Sequence, residues 1–475
     1  MSQRRRSQSP SAARSAVSTD PRELAEAALA ASTADGCVAI ATEHTEANLR
    51  WAANALTTNG QMQTRSVTVV ATFGERAGVV TRAISSLEEV DDLVRAAEQS
   101  ARDSEPAEDV APLVAPYDHP DEWAADPRGT GVEVFGAFAG ELGETLGQWR
   151  AADRLLYGFA EHRLDSTFLA TSTGLRRRVD QPDGRLELNG KSGDLARSAW
   201  AGVSTRDFAD VDVVAVADSL TRRLDWARTS LDLPPGRYET ILPPTAVADL
   251  MIDAYWSMSA RDAEEGRTVF SGPAGGTRVG ERLSSMPLTL RSDPGAVGLQ
   301  CAPFEIARAS STGVQSVFDN GAPVPAASWL TDGVLTELAR SRASALPCGA
   351  AARPYVDNLI LEARGAEASL EQMIADTERG LLLTCLWYIR EVDPQTLLLT
   401  GLTRDGVYLV ENGQVRGAVN NFRFNESPVD LLGRVTEAGV TERTLPREWS
   451  DYFTRAAMPA LRVADFNMST VSPAS

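Results

Sequence analysis

The stretch L-P-P-G-R-Y-E-T-I-L-P-P-T-A-V-A-D-L-M-I-D-A-Y-W-S-M, residues 233–258, contains the sharpest break in this 475-residue chain and the helix that follows it. The Pro-Pro-Gly at 234–236 interrupts both helical and strand patterns, so we place the start of a domain here. Between 245 and 258, apolar residues recur at the three-and-four spacing of a helix that buries one face. They are Val247, Leu250, Met251, Ala254 and Met258.

Upstream of this boundary the sequence predicts a mixture of helices and hairpins without a regular βαβ rhythm. Asp20 is a suitable N-cap for a first helix. A turn at Asn59-Gly60 and a hairpin over 64–83 follow, and a long helix is predicted around 131–162. The chain downstream of the boundary is rich in predicted strands. The predicted fold class is therefore α+β, with an N-terminal mixed helix and sheet region followed by a strand-rich C-terminal domain.

Composition shifts along the chain predict four segments. The first residues carry clustered Arg and Ser without an apolar run, which is typical of a solvated, disordered tail. A segment rich in Asp, Glu and Pro at 103–130 marks a second break. The predicted segments are a disordered basic tail (1–19), an N-terminal α+β domain (20–125), a middle domain (126–232) and a C-terminal domain (233–475).

Charge and composition exclude several classes of function. The formal net charge is −19, and an acidic surface repels phosphate backbones, so no nucleic-acid partner is expected. No apolar run reaches the roughly eighteen residues that a membrane helix needs, so no membrane association is expected. Four Cys without a CxxC pair indicate a reducing compartment, and we expect a cytoplasmic protein.

Candidate catalytic residues are few. The three His residues, His44, His119 and His162, all lie far upstream of the C-terminal domain. A zinc site needs three or four converging donors, usually with two of them closely spaced, and no such pair exists here. Cys348 is either a nucleophile or a turn cysteine, and a nucleophile would need a base partner.

A cluster of acids is open to two interpretations in the same way. Asp262, Glu264 and Glu265 are either paired acids for proton transfer or a solvated helix end.

Six segments in order along the chain together resemble the TldD/PmbA (TldD/TldE) family of modulator-of-gyrase proteins. The strongest is R-E-V-D-P-Q-T-L-L-L-T-G-L-T-R-D-G-V-Y-L-V-E-N-G at 390–413. The others are N-L-R-W-A-A-N (48–54), S-T-G-L (172–175), L-P-P-G-R-Y-E (233–239), N-F-R-F-N-E-S-P (421–428) and M-P-A-L-R-V-A-D-F-N-M (458–468). Each segment alone is a weak signal, but together they cover about residues 20–470.

The resemblance implies two kinds of subunit, of which the TldD kind carries H-E-x-x-x-H on the first helix of its C-terminal domain and a late Cys. An ungapped placement puts Ile252, Asp253 and Ser257 at the His, Glu and His positions. Residues 442–455 occupy the region of the late Cys and contain none. The chain therefore resembles the TldE (PmbA) kind, a degenerate metal site is expected, and no catalytic or metal-binding residue is assigned.

The expected function is a non-catalytic subunit of a heteromeric metallopeptidase that acts on unfolded peptides. The resemblance implies a TldD-like, metal-bearing homologue as partner, with no cofactor in this chain and zinc in the partner. Arg390 and Arg423 are candidate contacts to a peptide, although structural salt bridges are an alternative. Two other functions stay open: a metal-independent hydrolase around Cys348 or Asp253, and a protein that binds peptides or a partner without hydrolysis.

Overall fold

The computed structural model describes residues 20–120, 122–312 and 314–473, so the tail predicted at 1–19 lies outside the described residues. Two sheets form the framework. The first has six antiparallel strands in the order β3-β2-β1-β4-β5-β6. They are β1 (Gly36–Ala52), β2 (Ala55–Phe73), β3 (Arg76–Ala83), β4 (Arg154–Thr171), β5 (Arg176–Ser192) and β6 (Ser198–Thr205).

Four helices pack on one face of this sheet: α1 (Pro21–Ala31), α2 (Val90–Asp103), α3 (Gly136–Ala151) and α4 (Val213–Trp226). Side chains alternate between the two faces of a strand, and β1 follows this rule. Its Ala39 and Ala41 pack with α1 and α2, and its Leu49 packs with α3 and α4. Val38 and Ile40 point to the opposite face, where they meet a segment of the C-terminal half. The centre of the sheet is therefore buried on both faces.

The hairpin predicted over 64–83 is confirmed, because β2 and β3 pair directly. The turn predicted at Asn59-Gly60 is wrong, since both residues lie inside β2. The chain turns instead at Ala53 and Asn54, whose φ angles are +48° and +63°. The Asn54 side chain fixes this turn, because its Oδ1 accepts the N–H of Leu156 at 2.7 Å.

The helix predicted around 131–162 is wrong in its second half. Helix α3 ends at Ala151, and the chain enters β4 at Arg154. Asp153, with φ of +54°, makes the change of direction. The apolar residues of 155–164 belong to a strand that is paired on both sides.

The second sheet has fourteen strands and belongs to the C-terminal half. Its hub is the last strand, β20, which pairs with β8, β12, β18 and β19. The strands are β7 (Ser230–Leu231), β8 (Gly236–Leu242), β9 (Leu288–Ser292), β10 (Ala327–Thr331), β11 (Val334–Leu335), β12 (Leu359–Ala363), β13 (Arg379–Leu383), β14 (Leu386–Asp393), β15 (Leu398–Thr403), β16 (Val407–Glu411), β17 (Gln414–Val419), β18 (Phe422–Glu426), β19 (Val435–Thr444) and β20 (Ala456–Val471).

Five helices accompany this sheet: α5 (Pro244–Trp256), α6 (Ala260–Glu264), α7 (Arg342–Ala345), α8 (Leu370–Ala375) and α9 (Pro428–Leu432). Helix α5 is the predicted helix of 245–258, but the prediction that it buries one face only is wrong. Ala246, Ala248, Asp249 and Ile252 are buried as well, so the helix runs through the core. The predicted α+β class is confirmed. No helix in the described ranges is long and apolar enough to cross a membrane.

The predicted domain boundaries do not separate the two sheets. The position 125/126 lies between α2 and α3, while β1 and β4 on either side of it pair with each other. The position 232/233 lies between β7 and β8, which both belong to the second sheet. The segments 20–125 and 126–232 therefore share one sheet.

The residues 304–322 connect the two halves of the molecule. Phe304 and Phe318 pack with Val38, Ile40 and Leu169 on the face of the first sheet opposite its four helices. Gly321 has φ of +85°, and a Cβ added there would lie 2.5 Å from Leu175 Cδ2 on the β4–β5 turn. Only glycine fits this close approach without strain.

We expect Gly321→Ala to lower the free energy of unfolding by about 1–3 kcal/mol, because the new Cβ is both strained and overpacked. Gly140→Ala is the matched control. Gly140 lies inside α3 with nothing within 4 Å of the added Cβ, so this change should stabilise the helix by about 0.5–1 kcal/mol. Urea unfolding measures both, and equal effects of the two changes would contradict the assignment.

Candidate functional site

The C-terminal end of α5 opens onto a pocket of about 390 Å³ that is lined by residues of the C-terminal half. Helix α5 contributes Tyr255 and Trp256 to the lining, and the segment before β20 contributes Tyr452 and Phe453. The remaining lining residues include Phe304, Glu305, Ile306, Arg308, Tyr355, Val356 and Asp357. This volume lies within the range of pockets that hold small ligands, which is about 300–1,000 Å³.

Two tyrosines fix the wall formed by α5. The Tyr255 hydroxyl donates to the carbonyl oxygen of Val356 at 3.0 Å and accepts the N–H of the same residue at 2.8 Å. The Tyr355 hydroxyl lies 3.0 Å from the Tyr255 carbonyl oxygen and 3.1 Å from that of Trp256. The last carbonyls of a helix have no partner within the helix, and Tyr355 supplies a donor at this end, where the Tyr255 carbonyl also accepts the N–H of Met258 at 3.0 Å. The wall is therefore held by paired polar groups as well as by ring packing.

A second set of contacts attaches the segment 448–449 to the same helix. The Glu448 N–H donates to Asp249 Oδ1 at 2.9 Å, and the Trp449 ring lies 5.0 Å from that of Trp256 in an edge-to-face arrangement. Trp449 Nε1 lies within hydrogen-bond distance of Asp253 Oδ2, at 3.2 Å. The segment around 442–455 and the end of α5, which the family resemblance linked to an expected degenerate metal site, thus lie next to each other.

Glu305 is the buried acid of the pocket. It is 6% exposed, and its side chain has no hydrogen-bond or ion-pair partner among the described residues. Its backbone is fixed, since its N–H donates to Ala322 at 2.9 Å and its carbonyl accepts from Gly321 at 2.9 Å. Burial raises the pKa of Glu305 to about 9, the Asp319 carboxylate raises it further, and Arg342 opposes both. The carboxyl is therefore neutral at pH 7.

Asp357, the other acid of the lining, is compensated. Its carboxylate pairs with the Arg455 guanidinium, which also donates from Nε to the Asp357 carbonyl oxygen at 2.8 Å. Arg455 Nη1 reaches Asp183 of β5 at 3.0 Å, so the ion pair joins the two sheets. Arg185 of β5 makes a similar bridge to Asp451 at 2.5 Å.

The positions expected to be a degenerate metal site lie beside the pocket and do not line it. Ile252 is fully buried in the core. The Ser257 hydroxyl donates to the Asp253 carbonyl oxygen at 3.0 Å. Burial raises the pKa of Asp253 to about 7, with Glu391 and Glu448 adding to the effect and the Trp449 hydrogen bond opposing it.

Zinc does not fit these residues. Ile252 has no donor atom, and no three His, Cys, Asp or Glu side chains in the described ranges converge on a point where a metal ion could bind.

The two predicted peptide contacts are not among the residues that line the pocket. Arg390 on β14 is largely exposed, and its Nη1 lies 3.2 Å from Glu448 Oε1. Arg423 on β18 donates to the Thr400 hydroxyl at 3.3 Å. Strand β15 lies between these two strands, and neither arginine lines the pocket. Their role in peptide binding stays a prediction.

The other candidates have structural partners. Cys348 is exposed, and its sulfur lies 3.9 Å from Arg340 Nη1. The rings of His44 and His162 are hydrogen-bonded within the N-terminal half, to Asp165 and Thr130. No described contact therefore joins Cys348 to a histidine base.

The acids at the end of α6 are ion-paired. Asp262 pairs with Arg267, Glu264 with Arg340, and Glu265 with both Arg261 and Arg267. These pairs lie at the protein surface.

The pocket itself was missed at the sequence level. Its one local signal is an acid inside the otherwise apolar run C-A-P-F-E-I-A at 301–307. The aromatic walls come from segments about 50 to 200 residues apart, so no spacing rule brings them together. Rings and one neutral acid, without a nucleophile and base pair, are suited to binding a ligand more than to breaking a bond.

The raised pKa of Glu305 makes stability depend on pH. The unfolded chain releases this proton near pH 4.5 and the folded chain only near pH 9, so stability falls as pH rises through that window. We expect Glu305→Gln to raise the free energy of unfolding by about 1–3 kcal/mol at pH 8 and to flatten its decline between pH 5 and pH 8. Glu141→Gln, at an exposed position on α3, is the control and should change neither. An unchanged pH slope in Glu305→Gln would contradict the burial of a neutral acid.

Comparison with known proteins assigns the C-terminal half of the chain to a family. Residues 235–470 match the model of the PmbA/TldA metallopeptidase C-terminal domain. No curated protein matches the chain.

Three solved structures share the fold. TldE from Thermococcus kodakarensis has a TM-score of 0.77 at 16% identity, covering 94% of this chain and 98% of that one. A protein from Thermotoga maritima named as a modulator of a DNA gyrase has a TM-score of 0.72 at 16% identity, covering 91% and 96%. A Bacteroides thetaiotaomicron protein named as a modulator of DNA gyrase has a TM-score of 0.73 at 14% identity, covering 95% and 98%. The resemblance noted in the sequence is confirmed, and residues 235–470 form a C-terminal domain of the PmbA/TldD family.

Proposed function

We propose that this chain is a non-catalytic, TldE-like subunit that pairs with a TldD-like, metal-bearing homologue and helps it to cleave unfolded peptides. The observation that carries the proposal is the composition of α5. The helix keeps its place in the core of a metallopeptidase-family domain, but Ile252 and Ser257 stand where ligands are expected. We place zinc in the partner and the pair in the cytoplasm.

The pocket at the end of α5 supports a role in holding a peptide. Trp256 and Tyr452 are 41% and 76% exposed, which is unusual for large rings and leaves them free to contact a ligand. Aromatic side chains provide large contact areas for little loss of conformational freedom. A subunit without metal would therefore contribute binding energy and position, while the partner contributes the bond-breaking step.

An open sheet edge supports association with another chain. Strand β2 pairs with β1 over its whole length, but β3 covers only its residues 66–73. Residues 52–64 contain no charged side chain, although 23% of the chain is charged. Exposed edges are normally protected by charges, by proline or by bulges. The uncharged edge at 55–64 is suited to pairing with a strand of the homologous partner.

The two alternatives have less support. A metal-independent hydrolase would need a base near Cys348 or a nucleophile near Asp253, and the described contacts of these residues supply neither. A protein that only binds peptides would have the same pocket. It differs from the proposed subunit in that it would not change the activity of a metal-bearing homologue.

We expect the purified chain to contain far less than one zinc ion per chain after dialysis, as measured by elemental analysis. The triple variant Ile252→His, Asp253→Glu, Ser257→His should remain poor in zinc, because the segment 442–455 supplies no third ligand. About one zinc per chain in the unaltered protein would contradict the assignment.

We expect peptide cleavage from a mixture of this chain with a metal-bearing homologue and none from this chain alone. The double variant Thr58→Lys, Met62→Lys should weaken co-elution of the pair at least tenfold, because it places charge on the β2 edge. Gln148→Lys, an exposed position on α3, adds the same kind of charge elsewhere and should have no effect. The proposal fails if the homologue is equally active alone, or if the two chains never co-elute.

A further inference from the structure

We propose that the pocket binds a cationic group, the guanidinium of an arginine or the ammonium of a lysine, on the carboxylate of Glu305. The inference rests on the proposed function only in assigning this group to a peptide side chain. Binding of the cation itself is a property of the chain alone.

The first support is the missing partner of Glu305. An acid that is 6% exposed normally has a hydrogen-bond or ion-pair partner, yet this side chain has none among the described residues. It also lines an open cavity, so a partner can reach it from outside. Its backbone bonds to Gly321 and Ala322 fix the point from which its side chain reaches the pocket.

The second support is that the nearby cations of the chain are engaged with other groups. The Arg342 guanidinium donates from Nε to Asp319 Oδ1 at 2.6 Å, and the backbone N–H of Arg342 donates to Asp319 Oδ2 at 3.0 Å. Arg308 lines the pocket, but its Nη2 donates to the hydroxyls of Thr42 and Thr167 on the first sheet.

Two further arginines near the pocket are engaged as well. Arg455 pairs with Asp357 and Asp183. The Arg177 guanidinium lies over the Phe304 ring at 4.6 Å and donates to the Tyr117 hydroxyl. No arginine or lysine among the described residues is therefore paired with the Glu305 carboxyl.

The third support is the aromatic lining. The faces of Trp and Tyr rings attract cations, and the attraction grows when water is excluded. Trp256, Tyr355 and Tyr452 provide such rings in the lining of the same pocket as Glu305. A pocket with rings and an unpaired acid favours an extended cationic side chain over an anion. The net charge of −19 disfavours an anionic ligand as well.

Binding of a cation must release a proton. The neutral acid form predominates at pH 7, and a cation next to Glu305 favours the ionised form. Each bound cation therefore displaces about one proton, and the dissociation constant should fall about tenfold per pH unit between pH 6 and pH 8. A neutral ligand bound by the rings alone would show neither effect.

The experiment uses isothermal titration calorimetry of the full chain with N-acetyl-arginine amide and N-acetyl-lysine amide as probes. N-acetyl-citrulline amide, the neutral counterpart of the arginine probe, is the control ligand. Titrations at pH 7 in two buffers with different ionisation enthalpies report the released proton. We expect a cationic probe to bind with release of about one proton, and citrulline to bind at least tenfold more weakly.

Variants locate the site. Glu305→Gln keeps the shape of the side chain but cannot ionise, so it should weaken the cationic probe at least tenfold and abolish proton release. Glu141→Gln should behave as the unaltered chain. The proposal is overturned if no cationic probe binds, if citrulline binds equally well, or if Glu305→Gln leaves binding unchanged.

A second arm separates a free cation from a peptide side chain. The peptide Ala-Ala-Arg-Ala-Ala should bind more tightly than the single-residue probe if the pocket receives an extended chain, and equal affinity assigns the site to a small free cation. Cleavage assays on the mixture with the metal-bearing homologue stay separate. Loss of probe binding with an active pair refutes only this inference, whereas probe binding with an inactive pair refutes only the proposed function.

Discussion

The pocket depends on one contact, the packing of the segment 304–322 against the face of the first sheet opposite its helices. Phe304 and Phe318 meet Val38 and Ile40 there because β1 alternates its side chains between two buried faces. A one-residue slip of β1 would turn Val38 and Ile40 toward the helices and remove this contact. The same segment carries Glu305, so sheet register in the N-terminal half determines the chemistry of a pocket in the C-terminal half.

Ion pairs at the rim of the pocket also hold the two halves of the chain together. Arg455 joins Asp357 to Asp183, and Arg185 joins the first sheet to Asp451. Exposed ion pairs contribute little, but Arg455 and Arg185 are 13% and 9% exposed, and each contacts more than one acid. Breaking such a partly buried network leaves a charge without its partner, which costs more than the pair contributes. The two halves are thus held in one arrangement by apolar packing at the centre and by charge at the rim.

The sequence correctly predicted the elements that depend on a few neighbouring residues. The cap at Asp20 and the hairpin over 64–83 belong to this class. Asn59-Gly60 failed as a turn because pairing with β1 over seventeen residues outweighs a two-residue preference. The helix predicted through 162 failed because a strand buried on both faces has a nearly continuous apolar pattern, which periodicity alone does not distinguish from a helix.

The candidate site also combines features that have a local sequence signal with features that have none. The place of Ile252, Asp253 and Ser257 at the end of α5 could be predicted from the sequence, because it depends only on one helix. Glu305 could not be recognised, because its burial is produced by segments distant in sequence.

The energetic cost of burying Glu305 supports the proposal that this residue binds a ligand. Keeping this carboxyl neutral at pH 7, when its unfolded counterpart is ionised, costs about 3 kcal/mol, and glutamine would avoid the cost. Domains of this kind are stable by only about 5–15 kcal/mol, so such a cost is a large fraction of the total. Strongly perturbed acids in clefts are found more often at functional sites than elsewhere. A cation that binds Glu305 must displace this proton, so the attraction between the two charges has to exceed the cost of ionising the buried carboxyl, and this cost falls as pH rises.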